Sequence, residues 1–565
     1  MSALAPVRTL RSISLVSASR TIVERSLVIV LFVAGFAMLF RRWLFTGFDG
    51  IFGDDADGEI MIALLAHWDW VFAGAAGWAD PSFFYPERGT LGYTDSMVLY
   101  GLTHAALRAM GFDIFSAFMV AMAALAGIGF FGFLRLARRH FGMARPAAAI
   151  GAALFVFANM TAVGLIHAQI YCAMLLPLVC DLALTAWGER RPRRAIAFAA
   201  AAGLLHGLIF LTAFQTAWFF TFLLLLCAAL YPAVFGLARG REMLRDVMNK
   251  SERLAGYAAG FAVGAVPFLL LYLPVLLSGR HRELAEVLSN APDARDIINV
   301  TTGNWMWGDL LRHAGITGRL NRPAWEVDRG FTPAMFAMLL ATMAMLFAGR
   351  RRTDSPAATD RWLLLLGLGA LLSWLVQLDY FGIRPWAAVW ALVPGAGAIR
   401  YTFRSQIVAN LFVSLVVARG FAWLWVLARE HRQKAALVVV AAFVVLLEQV
   451  NIDWPATISR RATKAWIDAI PALPPGCRVF YLVPRAEPVD KEGWIHQADA
   501  MLLSQARGIP TVNGYSSWLP DHWALEEPAK PGYAAAVRDW AQRNGITDGL
   551  CGVEPRRGRW TVGLP

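Results

Sequence analysis

The chain has 565 residues, of which 58% are hydrophobic and only 16% are charged. A soluble protein would carry about 25% charged residues, so the composition excludes an ordinary soluble enzyme, a disordered scaffold and a nucleic-acid-binding domain. It indicates a polytopic membrane protein, in which the excess of Lys and Arg (52, against 40 Asp and Glu) is first of all a topology signal.

Apolar runs predict the membrane spans, since about 20 apolar residues are needed to cross the hydrocarbon core. Eleven runs are credible spans. We predict that the first is a retained span rather than a removed signal peptide, because no cleavage site precedes it. The runs cover 26–46, 114–134, 147–164, 168–187, 195–210, 212–235, 255–277, 333–349, 362–378, 405–427 and 435–450.

Basic residues predict the orientation of these spans. Clusters of Arg and Lys fall on every second connection, as the positive-inside rule requires. We therefore predict a cytoplasmic N-terminus and a C-terminus on the opposite face. The short apolar segment 97–111 would break this alternation as a span, and we predict a re-entrant or interfacial helix on the outer face. The clusters lie at 8–25, 135–145, 190–194, 239–253, 350–361 and 429–434.

The chain divides into two predicted parts. Residues 1–450 are predicted to form a mostly α-helical transmembrane bundle with outer juxtamembrane helices, and 47–113 is its first outer loop. Hydropathy drops in 451–565, where strand-like and helix-like stretches predict a small α/β domain outside the membrane, long enough for a modest core. Cys477 and Cys551 fall in this domain. A disulfide and two buried thiols remain equal alternatives, because the sequence does not give the Cα separation.

An acidic cluster follows the first span. Mutual repulsion and partial desolvation would raise the pKa values of its four carboxylates. One of them could act as a general base towards a hydroxyl, or help to hold a divalent cation, although the spacing leaves the metal unknown. The structural alternative is a helix N-cap followed by a first turn that suits the helix dipole, which residue type alone favours. The cluster consists of Asp54, Asp55, Asp57 and Glu59.

The surroundings of this cluster favour chemistry. The loop FFYPERGTLGYTDS combines aromatic and hydrogen-bonding groups that suit a sugar face or a lipid head group, with an interfacial aromatic belt as the alternative. Arg, His and Arg at 280–282 open the second outer loop, where they either meet a phosphate or are flexible loop charges. The loop contributes Tyr85, Glu87, Arg88, Tyr93 and Asp95.

Two arginines lie just outside the 405–427 span. Arg400 and Arg404 are spaced i, i+4, which on a helix places them on one face, where they could grip a phosphate. The alternative is a pair of snorkelling anchors, but arginines on the outer side run against the topology rule. In the turn near 167, His167 and Gln169 are either buried, satisfied side chains or ligands of a substrate.

With these residues in view, the chain resembles the GT-C superfamily of polytopic, lipid-carrier-dependent glycosyltransferases, in particular its bacterial members. The resemblance rests on GDDADGEIMIALLAHWDW, DPSFFYPERGTLGYTDS, GLIHAQIYCAMLLPL, VPGAGAIRYTFR and ARGIPTVNGYSSWLP. It implies a catalytic carboxylate in the first outer loop. Asp54 matches that position best and Asp55 is the near rival. Glu59-Ile60-Met61 stands where many members carry an aromatic pair, which leaves donor and acceptor open.

The resemblance implies a function. We expect an inverting glycosyltransferase of the bacterial inner membrane that takes a sugar from a polyprenyl-phosphate donor, bound near Arg400 and Arg404, to a glycan or lipid acceptor on the periplasmic face. Asp95, Glu87 and Tyr93 would orient sugar hydroxyls. Some members of the superfamily use a divalent metal and others do not. The alternatives are a translocase or exporter of lipid-linked saccharide and a non-catalytic subunit of an envelope polysaccharide assembly.

Overall fold

The computed structural model describes residues 7–318, 324–349, 355–484, 493–554 and 558–565, and helices dominate these ranges. The α-helices are Val7–Leu39, Arg41–Leu44, Asp57–Phe72, Val98–Ala109, Ile114–Arg139, Arg145–Val156, Asn159–Gly164, Leu176–Gly188, Pro192–Thr212, Phe214–Phe235, Leu237–Asn249, Ser251–Leu277, Leu284–Ser289, Gly308–His313, Ala324–Val327, Pro333–Gly349, Ser355–Leu375, Trp386–Leu392, Ser405–Ala428, Arg432–Leu447, Arg460–Ala469, Gly493–Arg507 and Tyr533–Arg543. Short 3₁₀ helices cover Thr90–Tyr93, Ala168–Leu175, Ala294–Ile298, Ala396–Ala398 and Thr402–Arg404.

The chain is a multi-pass membrane protein. Within the described ranges, eight helical segments are long and apolar enough to cross a membrane, and each matches one of the predicted runs. They are Thr21–Leu39, Ile114–Arg139, Arg145–Gly164, Ala168–Gly188, Pro192–Thr212, Phe214–Phe235, Ser251–Leu277 and Thr402–Ala428.

The predicted count of eleven spans is not confirmed. The runs 333–349, 362–378 and 435–450 are also largely helical, but they do not combine the required length with the required apolarity in the described residues. Pro333–Gly349 has 17 residues, and Arg432–Leu447 has 16 and begins with three polar side chains.

Two spans pack with their backbones almost in contact. A Cβ added at Gly203 would lie 2.0 Å from the carbonyl oxygen of Tyr257, and one added at Gly260 would lie 2.0 Å from that of Ala200. Only glycine allows this approach, and small residues at such spacing are a common basis of helix pairing in membranes. The pairing fixes Pro192–Thr212 against the helix that leads into the second outer loop.

The helices Asp57–Phe72 and Val98–Ala109 lie between predicted spans and pack against each other. The helix Asp57–Phe72 packs against Val98–Ala109 on one side and against Gly493–Arg507 on another. Because it is covered from both sides, nearly all of its first three turns are buried. The segment predicted at 97–111 forms the short helix Val98–Ala109, and Nδ1 of its His104 lies 2.8 Å from Oδ1 of Asp69. Its re-entrant or interfacial place on the outer face stays a prediction.

The C-terminal part contains a small mixed sheet. Val479–Leu482 pairs in parallel with Leu550–Glu554, which pairs antiparallel with Arg559–Val562. Together with the helices Gly493–Arg507 and Tyr533–Arg543 it forms the small α/β unit that the sequence predicts. Cys477 and Cys551 form a disulfide, with their Cα atoms 5.8 Å apart, which decides between the two alternatives for these cysteines. A domain boundary at residue 450 stays a prediction.

The first outer loop is joined to the C-terminal part. Its strand Gly50–Phe52 pairs antiparallel with Thr457–Ser459. Just before the loop, Nη2 of Arg41 donates to the carbonyl oxygens of Asn451, at 2.7 Å, and Trp454, at 2.9 Å. The acidic cluster therefore follows a strand that the end of the chain holds in place.

Candidate functional site

The acidic cluster begins in a turn that requires glycine. Gly53 has a φ of 117°, and a Cβ there would lie 2.2 Å from the Cα atom of Gly58. Within this turn, Oδ1 of Asp54 accepts hydrogen bonds from the backbone N–H groups of Ala56, at 3.0 Å, and Gly58, at 3.4 Å. Asp54 thus satisfies backbone donors at the start of the helix Asp57–Phe72, the role that the structural alternative assigns to this cluster.

The other three carboxylates have different surroundings. Asp55 is exposed, and Glu59 is buried in the first turn of the helix. Asp57 has a side chain 33% exposed, and its Oδ2 atom lies 3.4 Å from Nδ1 of His167. Burial raises the pKa of Asp57, and the charge of His167 offsets this only in part. The Asp57 carboxylate is thus surrounded by protein atoms on most sides while part of it still contacts solvent.

His167 connects Asp57 to a buried ion pair. Its Nε2 atom lies 3.0 Å from Oε1 of Glu326 and 3.1 Å from Nη2 of Arg404. Arg404 also donates from Nε to Oε2 of Glu326 at 3.0 Å, so the pair is bidentate. Gln169, two residues further along, uses its backbone carbonyl to accept from the Tyr100 hydroxyl at 3.0 Å. The structure thus brings together three predicted residues, Asp57, His167 and Arg404.

A second arginine contacts the same glutamate. Arg329 is 0% exposed, and its Nη1 atom lies 3.6 Å from Oε2 of Glu326. Among the described residues its three guanidinium nitrogens have no hydrogen-bond partner, and burial lowers the pKa of Arg329 to about 10. Burial alone would raise the pKa of Glu326, but Arg404 and Arg329 outweigh it and hold that pKa well below its ordinary value.

The rim of the site contains the other predicted arginine. Arg400 and Arg404 do not share a helix face, because the chain is extended at Tyr401 and the α-helix begins only at Ser405. Instead, the two guanidinium groups contact the Tyr401 ring, at 5.0 and 5.1 Å from its centroid. Nε of Arg400 lies 2.8 Å from Oε1 of Glu286.

The C-terminal part also reaches the rim. The guanidinium of Arg282 lies 4.6 Å from the centroid of a Trp518 ring, and its Nη1 atom lies 3.8 Å from Oε1 of Glu286. Tyr515 lies within electrostatic range of Asp57 and Arg400, and burial raises its pKa. Aromatic and cationic side chains from both parts of the chain thus lie near Asp57 and Arg400.

The predicted loop residues fall into two groups. Tyr85, Glu87 and Arg88 form an exposed tip. The backbone at this tip docks on the C-terminal part, since the Tyr85 N–H donates to the carbonyl of Thr511 at 2.9 Å and Nε1 of Trp540 donates to the Tyr85 carbonyl at 2.9 Å. In the described ranges, no hydrogen bond or ion pair links these three residues to Asp57.

Tyr93 and Asp95 lie deeper. The Tyr93 ring is buried, with the guanidinium of Arg280 at 5.3 Å from its centroid. Oδ1 of Asp95 accepts from the backbone N–H of Phe214 at 3.0 Å. Burial raises the pKa of Asp95 to about 6, and the charge of Arg404 acts in the opposite direction. Asp95 is therefore a second partly buried carboxylate within electrostatic range of Arg404.

Whether the acidic cluster holds a divalent cation stays an expectation from the sequence. Among the described residues, no group of three or more His, Cys, Asp and Glu side chains is arranged to hold a metal ion. The acidic cluster is spread over a backbone turn, an exposed position and a helix interior, so its carboxylates do not converge. We therefore assign no step to a divalent cation.

Sequence reasoning missed Glu326 and Arg329. Both lie in WEVDRG, which directly precedes the apolar run at 333–349. Arg404 was identified because it is a charged residue at the predicted outer end of an apolar run. The same argument applies to Glu326 and Arg329. Tyr401 lies in the motif VPGAGAIRYTFR and Tyr515 in ARGIPTVNGYSSWLP, but nothing in the sequence indicates that the two tyrosines lie at the same site.

No protein-family model and no curated protein matches the chain. Three solved structures are similar in fold. The Archaeoglobus fulgidus oligosaccharyltransferase in complex with Zn and sulfate has 12% identity over 92% of this chain and 67% of that chain, with a TM-score of 0.47. ArnT from Cupriavidus metallidurans bound to undecaprenyl phosphate has 12% identity over 87% of this chain and 85% of that chain, with a TM-score of 0.44.

The third is the arabinofuranosyltransferase AftD from Mycobacteria, with 16% identity over 88% of this chain and 33% of that chain, and a TM-score of 0.41. By name, the first is an oligosaccharyltransferase and the third an arabinofuranosyltransferase, and the ArnT structure contains undecaprenyl phosphate. Because every TM-score is below 0.5, the likeness by itself assigns neither a reaction nor a substrate to this chain.

Proposed function

We propose that the protein is an integral membrane glycosyltransferase that transfers a sugar from a polyprenyl-phosphate donor to an acceptor on the periplasmic face of the bacterial inner membrane. One observation carries the proposal: a partly exposed, desolvated carboxylate, Asp57, lies beside His167, which also contacts Arg404 at the start of a membrane span. A base for a hydroxyl and a cation for a phosphate are the two groups that such a transfer needs.

Arg400 and Arg404 are the proposed phosphate ligands. Arg400 is 44% exposed and only its Nε atom is paired, so its two Nη atoms have no hydrogen-bond partner in the described part of the chain. Guanidinium groups match phosphate oxygens in a bidentate geometry that an ammonium group does not provide. The lipid tail of the donor would lie along the apolar helix that Arg404 precedes, Ser405–Ala428.

Asp57 is the proposed base. Its Oδ2 atom contacts His167, whereas its Oδ1 atom has no hydrogen-bond partner among the described residues. In a single displacement, the acceptor hydroxyl oxygen attacks the anomeric carbon as the bond from that carbon to the phosphate oxygen breaks. The hydroxyl proton passes to Asp57, the bonding electron pair stays on the lipid phosphate, and the configuration inverts. The roles of Asp54 and Asp55 as bases stay predictions.

The acceptor would enter from the side of the C-terminal part. Tyr515 and Trp518 lie at that rim, and aromatic faces beside hydrogen-bonding groups suit a saccharide. Asp95 and Tyr93 lie on the same outer face and are proposed to contact sugar hydroxyls. The acceptor class is a glycan or a glycolipid.

The test compares three aspartates in membranes supplied with labelled lipid-linked sugar. If Asp57 is the base, Asp57→Asn lowers the transfer rate about 10²–10⁴-fold. We expect Asp54→Asn to leave the amount of folded protein and the transfer rate near normal, because the amide oxygen still accepts the backbone hydrogen bonds of Ala56 and Gly58. Asp539→Asn, on the exposed face of Tyr533–Arg543, is the matched control. A near-normal rate from Asp57→Asn would reject Asp57 as the base, and a lack of transfer by the wild type would reject the proposed reaction.

A further inference from the structure

The imidazole of His167 bridges two carboxylates that come from different outer segments. Its two ring nitrogens face Oδ2 of Asp57, at 3.4 Å, and Oε1 of Glu326, at 3.0 Å. We propose that His167 is a positioning residue for Asp57 and that Glu326 orients its ring. The inference rests on the proposed function, which makes Asp57 the base, and it adds two residues to which neither spacing nor resemblance assigns this task.

The proton on Nδ1 of His167 follows from Asp57. An ionised carboxylate accepts hydrogen bonds and donates none, so a favourable contact between Nδ1 and Oδ2 of Asp57 places a proton on Nδ1. Nε2 contacts an acceptor, Oε1 of Glu326 at 3.0 Å, and a donor, Nη2 of Arg404 at 3.1 Å, and these two groups together hold the ring in place. The imidazole therefore engages one oxygen of Asp57, which leaves Oδ1 for an acceptor hydroxyl.

Glu326 is held so that it can perform this task. Two arginines, Arg404 and Arg329, contact its carboxylate and favour its ionised form. Nη2 of Arg404 donates to Glu326 and to Nε2 of His167, so one guanidinium group links the glutamate to the ring. The imidazole is also buried, which restricts its alternative rotamers. Carboxylate, guanidinium and imidazole thus form a preorganised support for the base.

The charges around Asp57 decide the expected pH effect. Burial and neighbouring carboxylates favour its protonated form, whereas His167 and the arginines favour the carboxylate. Removing the Nδ1 donor therefore raises the pKa of Asp57, so the fraction of active base falls at a given pH. The groups that act on Asp57 are His167, Asp54, Arg404, Glu326, Arg329 and Tyr515.

The experiment uses two amides that each replace one ring nitrogen. The side-chain nitrogen of Asn at position 167 lies near the place of Nδ1, and that of Gln near the place of Nε2. We expect His167→Gln, which loses the donor towards Asp57, to lower kcat about 10²-fold with little change in the donor KM. The acidic limb of the pH–rate profile of His167→Gln should move to higher pH by about one pH unit. His167→Asn should lose less activity and move the limb less.

A purely structural role would lower both rates in proportion to the folded fraction, without moving the limb, and that result would overturn the proposal. Infrared titration of the full-length protein gives a second readout that needs no transfer. The band of a protonated carboxyl that is absent in Asp57→Asn should persist to higher pH in His167→Gln than in the wild type. An unchanged band would also overturn the proposal. If the wild type transfers no sugar, the proposed function fails, while this titration still decides whether His167 acts on Asp57.

Discussion

Nε of Arg400 lies 2.8 Å from Oε1 of Glu286, which joins the segment before a membrane span to a short helix of the second outer loop. The carboxylate engages one edge of the guanidinium group. The two Nη atoms on the other edge remain available to an anion, and the position of Glu286 orients them. The ion pair therefore leaves one edge of the Arg400 guanidinium group accessible at the site.

The first prediction concerns this edge. Arg400→Ala should raise the KM for the lipid-phosphate donor about tenfold or more, because a charge-assisted hydrogen bond contributes roughly 1.5–3 kcal/mol. Since the base and His167 are untouched, kcat should fall much less. Arg384→Ala is the matched control, since Arg384 forms an exposed ion pair with Asp379 in the same outer segment. Equal donor KM values in Arg400→Ala and Arg384→Ala would contradict the assignment.

The second prediction concerns stability and pH. Burial raises the pKa of Asp95 to about 6, whereas an unfolded aspartate titrates near about 4. Between these values the folded protein binds more protons at Asp95 than the unfolded chain does, so the contribution of Asp95 to stability is fully present below pH ~4 and is lost as the pH rises through ~6. Asp95→Asn should remove this dependence, and its apparent Tm in detergent should exceed that of the wild type at pH 7. A wild-type Tm that falls no more steeply than that of Asp95→Asn between these pH values would refute the shift.

The third prediction concerns the attachment of the C-terminal part. Nη2 of Arg41 lies within 2.9 Å of three backbone carbonyl oxygens and shares its two N–H groups among them, whereas the neighbouring Arg42 makes one longer bond, at 3.3 Å, to the carbonyl of Ile452. Arg41→Ala should leave the part-buried carbonyls of Asn451 and Trp454 without this donor and destabilise the attachment by about 1 kcal/mol or more. We expect faster proteolysis around 451–459 than in Arg42→Ala, measured by limited digestion. Identical digestion rates would show that the Arg41 contacts do not hold this segment.

The fourth prediction concerns the disulfide. Cys477 and Cys551 are 74 residues apart in the chain, so the bond closes a long loop and should contribute about 2–4 kcal/mol to the stability of the C-terminal part. Reductant should lower the apparent Tm of the wild type. It should have no further effect on a Cys477→Ser, Cys551→Ser double variant, which serves as the control. An unchanged wild-type Tm after verified reduction would contradict a stabilising role.

Much of the fold follows from local sequence. Eight of the apolar runs correspond to helices long enough to span a membrane, and strand-like and helix-like stretches indicated the small sheet and the helix Tyr533–Arg543. These elements were predictable because each depends on a pattern within about 20 neighbouring residues. The count of eleven is not confirmed, because the runs 333–349, 362–378 and 435–450 are not among the helices long and apolar enough to span a membrane in the described residues. At 399–404 the i, i+4 spacing was misleading, because the chain is extended at Tyr401 and the α-helix starts only at Ser405.

The site was only partly predictable, for a physical reason. Four neighbouring carboxylates look alike in sequence, and only the turn at Gly53 decides that Asp54 faces the backbone and Asp57 faces His167. Glu326 meets His167 and Arg404 through the tertiary fold alone. No periodicity connects segments so far apart along the chain, so their meeting can be read only from the structure.

The two-stranded pairing of Gly50–Phe52 with Thr457–Ser459 also limits how the molecule can be divided. A chain truncated after the last membrane helix would leave the strand Gly50–Phe52 unpaired immediately before the acidic turn. A C-terminal part taken from another protein would have to supply a strand in the same register. Chimeras that exchange the C-terminal part between distant proteins should therefore fail to fold unless the first outer loop is exchanged together with it. The two segments should accordingly be inherited together.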